Sequence, residues 1–600
     1  MKYSDYLLDS LIEMGFTHCF YLSGGNILHL LESASSRFKC IAVVNEVSAV
    51  IAADYFNVAS RSESQKAFVL VTAGPGLTNT VTGIAGAWLD NREVFIVGGQ
   101  SRSSMLAREG LKQLGHQEIG GSELVASITK FSHTITQPLG GKSLKEIVEL
   151  SYASPKGPVF LEVCLDVSSL EVTESDLVEI EVKTPKKVKN SNSWHRDLGD
   201  YLSRAERPLI LLGSGVSFEE FSALLPTLET LNVPIATSWN ASDYLDFTSD
   251  IYAGRPGAYG MRWSNIVIQQ ADLVLAIGTR FSFWETGFNW SEFAPLAAIW
   301  SFNIDDAELK KPGPRLDQKI NCDLREDFPR IVEQINKNYS IKWKTWADFV
   351  VKIKLTLPLS EDCNNQFNSH CNPFAVIEEV ACILDESDIV VPCSSGGAYT
   401  TVMQGFKQKR GQLLTNNRGL ASMGYGLAGA IGTCFARPEA RVISIEGDGG
   451  FLQNLSEVST AVHHKLNLKI FIMVNNGYGS IKISQKANFN GHYIGCDPET
   501  GVAVPDLKKI LSAFGVLVYD IFATSEVAGV EAVLNETGPT VGLIHVHPDQ
   551  QYFPKIASRL STSGEIESNP IHLMQPELPM SVFNAVMKFP YNSKKLNHDV

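Results

Sequence analysis

No stretch of this 600-residue sequence strings together the roughly 18 apolar residues that a membrane-spanning helix needs. Lys/Arg-rich runs are missing too, and the net charge is −14, which counts against nucleic acid and anionic membranes as partners. None of the ten cysteines forms a C-x-x-C pair, and several sit in apolar runs such as VFLEVCLDV, as buried thiols of a reducing compartment do. The absence of G-x-S-x-G and H-E-x-x-H removes two common hydrolase readings. At the N-terminus MKYSDYLLDSLIEMGF is an amphipathic, acid-bearing helix and not a signal peptide, so a cytoplasmic location is expected. What is present is an ordinary globular composition, 44% hydrophobic and 19% charged, enough for several packed cores. The length alone suggests about three to five domains.

Short β-branched runs alternate with helical stretches along the chain. THCFYLS, CIAVVN, KAFVLVTAG, EVFIVGGQ and GPVFLEVCLD predict a first parallel sheet covered on both faces. A charged, Lys-rich linker is expected near 178–193. RPLILLGSGV, VPIATSW, ADLVLAIGTRF and AIWSFNID predict a second unit, and DIVVPCSS, RVISIEGDG, LKIFIMVNN and PTVGLIHVH a third. The fold class is therefore α/β with three doubly wound parallel-sheet domains, expected at 1–177, 194–340 and 365–555. A Pro-containing tail at 556–600 is expected to lie over the surface.

The third unit carries the strongest local pattern. Gly447-Asp448-Gly449 closes one strand and Asn475-Asn476 the next. In a strand–helix–strand crossover both closures reach the same sheet edge. Taken singly, each is a plain turn; together they read as a site. A carboxylate and an amide oxygen are hard ligands suited to Mg²⁺. Backbone N–H groups of Gly449 and Gly450 at a helix start suit a diphosphate, and a side chain there would block its approach.

At this point the sequence resembles the thiamine-diphosphate (ThDP)-dependent enzymes. The resemblance adds the Gly477 carbonyl to Asp448 and Asn475 as metal ligands, although the family's usual second Asn before the ligand is Val474 here. Glu46, in AVVNEVSAVIAADYF, follows an apolar strand and is flanked by Val43, Val44 and Val47. On residue grounds alone it reads first as a carboxylate favoured by a helix N-terminus. By resemblance it is the catalytic carboxylate that hydrogen-bonds N1′ of the cofactor's aminopyrimidine.

VTAGPGLTNTVTGIAGAWLDNREVFIVGGQ narrows the likeness to the acetolactate synthase-like group. It implicates Thr72, Pro75, Gly76 and Asn79 in cofactor binding. FYLSGGN adds Gly24 and Gly25, with Leu22 and Asn26 beside them. LGHQEI implicates His116 and Gln117 at the reaction centre, where Phe is common in place of His116. NRGLASMGYGLAGAIG supplies Met423, which bends the cofactor, and Ala421, whose carbonyl accepts from the 4′-amino group. Ser395, Gly396, Gly397, Tyr478, Gly479, Ser480 and Ile481 complete the implied cofactor contacts.

The resemblance implies decarboxylation of a 2-oxo acid, pyruvate first among them, with carboligation of the retained fragment to a second carbonyl. It also implies a homo-oligomer, dimer at minimum and tetramer as an extension, because Glu46 of one subunit serves ThDP held by another. It leaves FAD open. Gly213, Ser214, Gly215, Arg280, Asp305 and Asp323 stand where flavin relatives bind it, while Ser282-Phe283 replaces their acidic pair. Rival readings are a non-coupling decarboxylase, a catalytically silent ThDP-binding paralogue, and an NAD-dependent dehydrogenase. The formal G-x-G-x-x-G at Gly424, Gly426 and Gly429 has no strand before it, which counts against the last.

Overall fold

The computed structural model describes residues 1–589 apart from 63, 109, 184–187, 189–193, 524–525 and 561–565. Much of the expected Lys-rich linker and the end of the tail thus lie outside the described residues. Three all-parallel sheets follow one another along the chain. The first comprises β1 (Phe16–Tyr21), β2 (Lys39–Ala42), β3 (Lys66–Val71), β4 (Phe95–Gln100), β5 (Phe131–Ile135) and β6 (Val159–Cys164), in the order β2-β1-β3-β4-β6-β5. The second contains β7 (Pro208–Leu212), β8 (Ile235–Thr237), β9 (Leu273–Ile277), β10 (Ala298–Asn303) and β11 (Gln318–Asn321), ordered β11-β10-β9-β7-β8. The third is β12 (Ile389–Pro392), β13 (Val442–Gly447), β14 (Leu468–Val474), β15 (Leu517–Ile521) and β16 (Thr540–His545), ordered β12-β13-β14-β16-β15. Central strands such as β4, β6, β7 and β9 are buried throughout, as continuous apolar runs between two helical layers require. No helix among the described residues is long and apolar enough to cross a membrane.

The first and third units meet through two helices, Glu46–Ser60 and Tyr425–Ala436, the latter buried along its whole length. Glycines let their backbones approach. A Cβ on Gly432 would lie 2.0 Å from the Ala52 carbonyl oxygen, and one on Gly429 2.6 Å from the Tyr55 ring. Backbone oxygen cannot step aside as a side chain can. Gly432→Ala is therefore expected to destabilise the contact by about 1–3 kcal/mol, read as a lower melting temperature. The second unit joins the third through Arg255, which is fully buried and donates to the Met403 and Phe406 carbonyls and to Gln408 Oε1 at 2.6, 2.7 and 2.8 Å.

Residues 556–589 do more than lie over the surface. Ile571, Val586 and Met587 are buried in the core of the second unit. Polar side chains of the helix Arg262–Gln270 bind the tail's backbone: Arg262 donates to the Met574 and Pro576 carbonyls, Asn265 to Ile571 and Gln270 to Val586. Because side chains satisfy much of that backbone, the segment needs little periodic sequence pattern to be held.

Candidate active site

The register of the third sheet places its site. Gly447 pairs with Met473 across β13 and β14, so the residues just beyond them, Asp448 and Asn475, emerge together at the carboxyl edge. Asp448 is buried, and its Oδ2 accepts the N–H groups of Asn475, Asn476 and Gly477 at 3.0, 2.7 and 3.3 Å. Its Oδ1 accepts the Gly449 N–H at 2.8 Å. Burial pushes the Asp448 carboxyl up to about 6, against the pull of those four donors. One terminal atom of the Asn475 amide lies 3.3 Å from Asp448 Oδ1 and 2.9 Å from the Gly477 carbonyl oxygen. With oxygen at that position, a carboxylate, an amide and a carbonyl oxygen converge with no proton between them. Hard oxygen donors in such a cluster suit Mg²⁺, which keeps further positions for phosphate and water.

Three helices start around this point: Gly396–Gly405, the short turn Asp448–Phe451 and Gly479–Asn488. A Cβ on Gly396 would meet only Ser480 Oγ, at 3.8 Å, so the first and last of these starts face each other across a small gap. Gly447 is open in the same sense, whereas a Cβ on Gly449 would strike the Tyr478 ring at 2.5 Å. Unpaired N–H groups at helix starts favour an anion between them. Gly477, with φ +145°, packs so tightly on the Cys496 carbonyl that no side chain fits there. Ile481 stands exposed on the first turn of the last helix.

Gly450 lies against Met423, with 3.9 Å between its notional Cβ and the Met423 Cβ, which brings the 421–423 segment over the cradle. Ala421 has a left-handed backbone, φ +54°, and Met423 is 37% exposed despite its apolar side chain. All three units fix this segment. Asp90 of the first accepts the Arg418 and Gly419 N–H groups at 2.9 Å each, and Glu285 of the second pairs with the Arg418 guanidinium at 2.8 Å. Both members of that ion pair are buried. Glu285→Ala would leave the guanidinium uncompensated, at an expected cost of about 3–5 kcal/mol, measurable by thermal unfolding.

In the first unit the implied residues gather beyond β1, β3 and β4. Thr72 is the hub: a Cβ on Gly24 would meet it at 2.3 Å and one on Gly76 at 2.9 Å, and its Oγ1 accepts the Asn26 N–H at 3.3 Å. Gly25 is open. Gly74, with φ +66°, packs on the Gln117 carbonyl, and Pro75 starts a short helix. His116 is exposed, but its carbonyl is held by Ser101 Oγ at 2.9 Å; Gln117 has φ +57°. The loop they occupy wraps around the buried Glu118 carboxylate, which accepts the Ala107, Leu114 and Gly115 N–H groups.

Glu46 begins its helix just beyond β2 and is only 8% exposed. Asn79 Nδ2 donates to its Oε2 at 3.0 Å. The third unit reaches the same place through Glu457, whose Oε1 accepts the Val44 and Asn45 N–H groups at 3.0 Å each. Among the described residues of one chain, no hydrogen bond or ion pair joins the Glu46 carboxylate to the Asp448 cluster. One chain thus carries two clusters of the implied residues, one around Glu46 and Thr72 and one around Asp448.

The three parallel-sheet units match three family signatures in the same order. They are the thiamine pyrophosphate enzyme N-terminal TPP binding domain at 1–119, the central domain at 196–328 and the C-terminal TPP binding domain at 395–545. The chain belongs to the thiamine pyrophosphate enzymes. Within them it is acetolactate synthase-like. It is 25% identical over 577 residues to the acetolactate synthase large subunit of Cyanidium caldarium, covering 93% of this chain and 95% of that one. It is 24% identical to the acetolactate synthase isozyme 1 large subunit of Escherichia coli K12, over 92% and 95% of the two chains. The Lactococcus lactis large subunit is likewise 24% identical, over 94% and 96%. The protein is a ThDP-dependent enzyme of carboligase or transferase type.

In this acetolactate synthase-like chain the positions associated with FAD are engaged by protein groups. Arg280 bonds Glu308 at 3.0 Å and the Leu89 carbonyl. Asp305 and Asp323 cap the helices Asp306–Lys310 and Leu324–Lys337. Gly213 and Gly215 are required by close packing on the Gly278 backbone. These observations give flavin no support of their own.

Sequence reasoning missed Glu457, Glu446 and Tyr552. Glu446 is fully buried at the end of β13, accepts the Leu427 N–H at 2.9 Å, and is pushed up to about 8 by burial. Glu446, a charged residue in the largely apolar strand VISIEG, carried a usable signal, whereas Glu457 ends the polar stretch LQNLSE and carried none. Tyr552 lies beyond β16 in QQYFPK, where no spacing points to it.

Proposed function

We propose that this enzyme decarboxylates a 2-oxo acid, pyruvate first among them, and joins the retained fragment to a second carbonyl compound. The observation that carries the reading is the convergence of Asp448, the Asn475 amide and the Gly477 carbonyl beside facing helix starts, which suits Mg²⁺ and the diphosphate of ThDP. When bound, ThDP supplies the carbon nucleophile and the electron sink for loss of CO₂.

The chain's own residues have distinct tasks in this reading. Asp448, Asn475 and the Gly477 carbonyl hold Mg²⁺. The N–H groups of Gly449 and Gly450, with Ser395, Gly396, Gly397 and the turn from Tyr478 to Ile481, surround the diphosphate. Met423 would support the cofactor from below, and the Ala421 carbonyl would accept from its 4′-amino group. Glu46, steadied by Asn79, shares a proton with N1′ from an apolar pocket. Gly24, Gly25, Thr72, Pro75 and Gly76 wall the thiazolium side. His116 and Gln117 face the second carbonyl. A homodimer completes the site by bringing Glu46 of one subunit to the Asp448 cluster of another. No step uses a flavin.

The test is pyruvate consumption by the purified protein with ThDP and Mg²⁺, with and without FAD, products being identified by mass. Acetolactate or another coupled product supports the carboligase. Acetaldehyde alone moves the assignment to a non-coupling decarboxylase. Absence of ThDP-dependent turnover with pyruvate and other 2-oxo acids overturns the proposal, and a rate that rises with FAD returns flavin to the central unit.

A further inference from the structure

Cys19 of β1 and Cys40 of β2 are register partners on neighbouring parallel strands, and both are free thiols. Their side chains share one face of the sheet. Cys19 belongs to the apolar core on that face, and Cys40 packs against the same core. The next register pair, Phe20 and Ile41, belongs to the core on the opposite face, as strand alternation requires. Neighbouring strands lie about 4.7–4.9 Å apart. A disulfide spans Cα separations of about 4.4–6.8 Å. The two sulfurs can therefore bond by side-chain rotation, with no change of strand register.

The two thiols differ in access. β2 is the edge strand of the first sheet, so Cys40 is only half-buried, whereas Cys19 on β1 is fully buried. Small oxidants from solvent thus meet Cys40 first, with Cys19 waiting behind it. Acidity runs in the same sense: the adjacent Cys19 thiol holds Cys40 below the usual thiol range, and burial pushes Cys19 up. Cys382 and Cys363 are also open to solvent, but they lie in the helix Pro373–Ile383 and the short turn Asp362–Asn364, where no strand partner stands beside them.

We propose that Cys19 and Cys40 form a reversible redox modification site, in which hydroperoxides oxidise Cys40 and Cys19 resolves it to a disulfide. In the first step the Cys40 sulfur attacks one peroxide oxygen. An S–O bond forms, the O–O bond breaks, and water leaves, giving the sulfenic acid. In the second step the Cys19 sulfur attacks the Cys40 sulfur. The S–S bond forms, the S–O bond breaks, and the hydroxyl departs with the Cys19 proton as water. Two thiols and one hydrogen peroxide thus give one disulfide and two waters. Without a resolving partner, a sulfenic acid goes on to the irreversible sulfinic acid. At Cys40 that product would press a charge against an apolar core. The strands concerned run directly into Gly24-Gly25 and Glu46, so the disulfide protects the framework of that part of the site. The inference does not depend on the ThDP reading.

The test treats the full-length wild-type protein with hydrogen peroxide, blocks the remaining thiols, and maps the peptides by mass with and without reductant. The expected result is a Cys19–Cys40 cross-link, two hydrogens lighter than the separate peptides and fully reversed by reductant. Because the second step is intramolecular, the disulfide should exceed Cys40 sulfinate by about tenfold or more. Cys382 serves as the internal comparison, since it should be oxidised without resolution. Cys40→Ser is expected to leave Cys19 reduced, and Cys19→Ala to carry Cys40 on to the sulfinate; thermal melting before oxidation checks that each variant is folded. The wild-type map needs no variant. Cys19 that stays reduced while Cys382 is fully oxidised overturns the proposal. So does Cys40 sulfinate formed equally in wild type and a folded Cys19→Ala, or a cross-link from Cys40 to any other cysteine.

Discussion

Glu46→Gln is expected to remove nearly all turnover while ThDP stays bound. Glutamine keeps the shape of the side chain and an oxygen that can still accept from Asn79 Nδ2, so the local hydrogen bond at 3.0 Å survives. What it cannot do is share a proton with N1′. General acid–base contributions run at about 10²–10⁴-fold, which sets the expected drop in kcat. ThDP affinity belongs to the other half-site and should change little. Turnover is read under saturating ThDP and Mg²⁺, and affinity by calorimetry. Unchanged turnover would remove Glu46 from the mechanism; joint loss of turnover and affinity would make it a structural residue.

Asp448→Ala should act on the other half-site by releasing Mg²⁺ and ThDP together. Loss of a direct ligand should exceed the roughly 10–100-fold that residues one step removed contribute. The carboxylate also gathers four backbone N–H groups, so alanine loosens the turn as well as the cation. Asp448→Asn separates these effects, because it keeps an acceptor for the turn while discarding the charge. Weak Mg²⁺ binding in both variants, with near-normal cofactor-free melting in Asp448→Asn, is the outcome that identifies a ligand. Wild-type cofactor affinity in Asp448→Ala would refute the assignment. Mixing Glu46→Gln with Asp448→Ala chains then tests the shared site. In a statistically mixed dimer with Glu46 supplied across the interface, about a quarter of the sites regain both groups. Activity that stays at the level of the separate variants would mean each chain uses its own Glu46.

The Asp448 cluster was legible because its chemistry is local. Asp448 and Asn475 close consecutive strands of a parallel pair, and such strands end on one edge however the rest of the chain folds. The glycines around them carried the same information, because an anion and close backbone packing both exclude a Cβ. Glu46 was legible as a candidate from its apolar strand and helix start, but only resemblance distinguished it from a helix-start carboxylate. Tyr552, Glu457 and the Asp90–Arg418–Glu285 junction join residues far apart in sequence, and no period or spacing encodes such a meeting. The tail misled for a related reason: its backbone is held by Arg262, Asn265 and Gln270, which belong to a helix some 300 positions earlier.

By itself, then, the sequence determined three parallel α/β units, their order, and the identity of the groups at the carboxyl edges of their strands. Continuous β-branched runs, helix periodicity and strand-closing turns are short-range patterns, and backbone sterics translate them directly into local structure. Only the tertiary structure decided which groups act on one another. It crossed the Glu46 and Tyr425 helices through Gly429 and Gly432, clamped 418–423 from all three units, and pressed the Tyr552 ring on Gly397. Those arrangements depend on how packed surfaces fit, a property of the assembled core that no single segment contains.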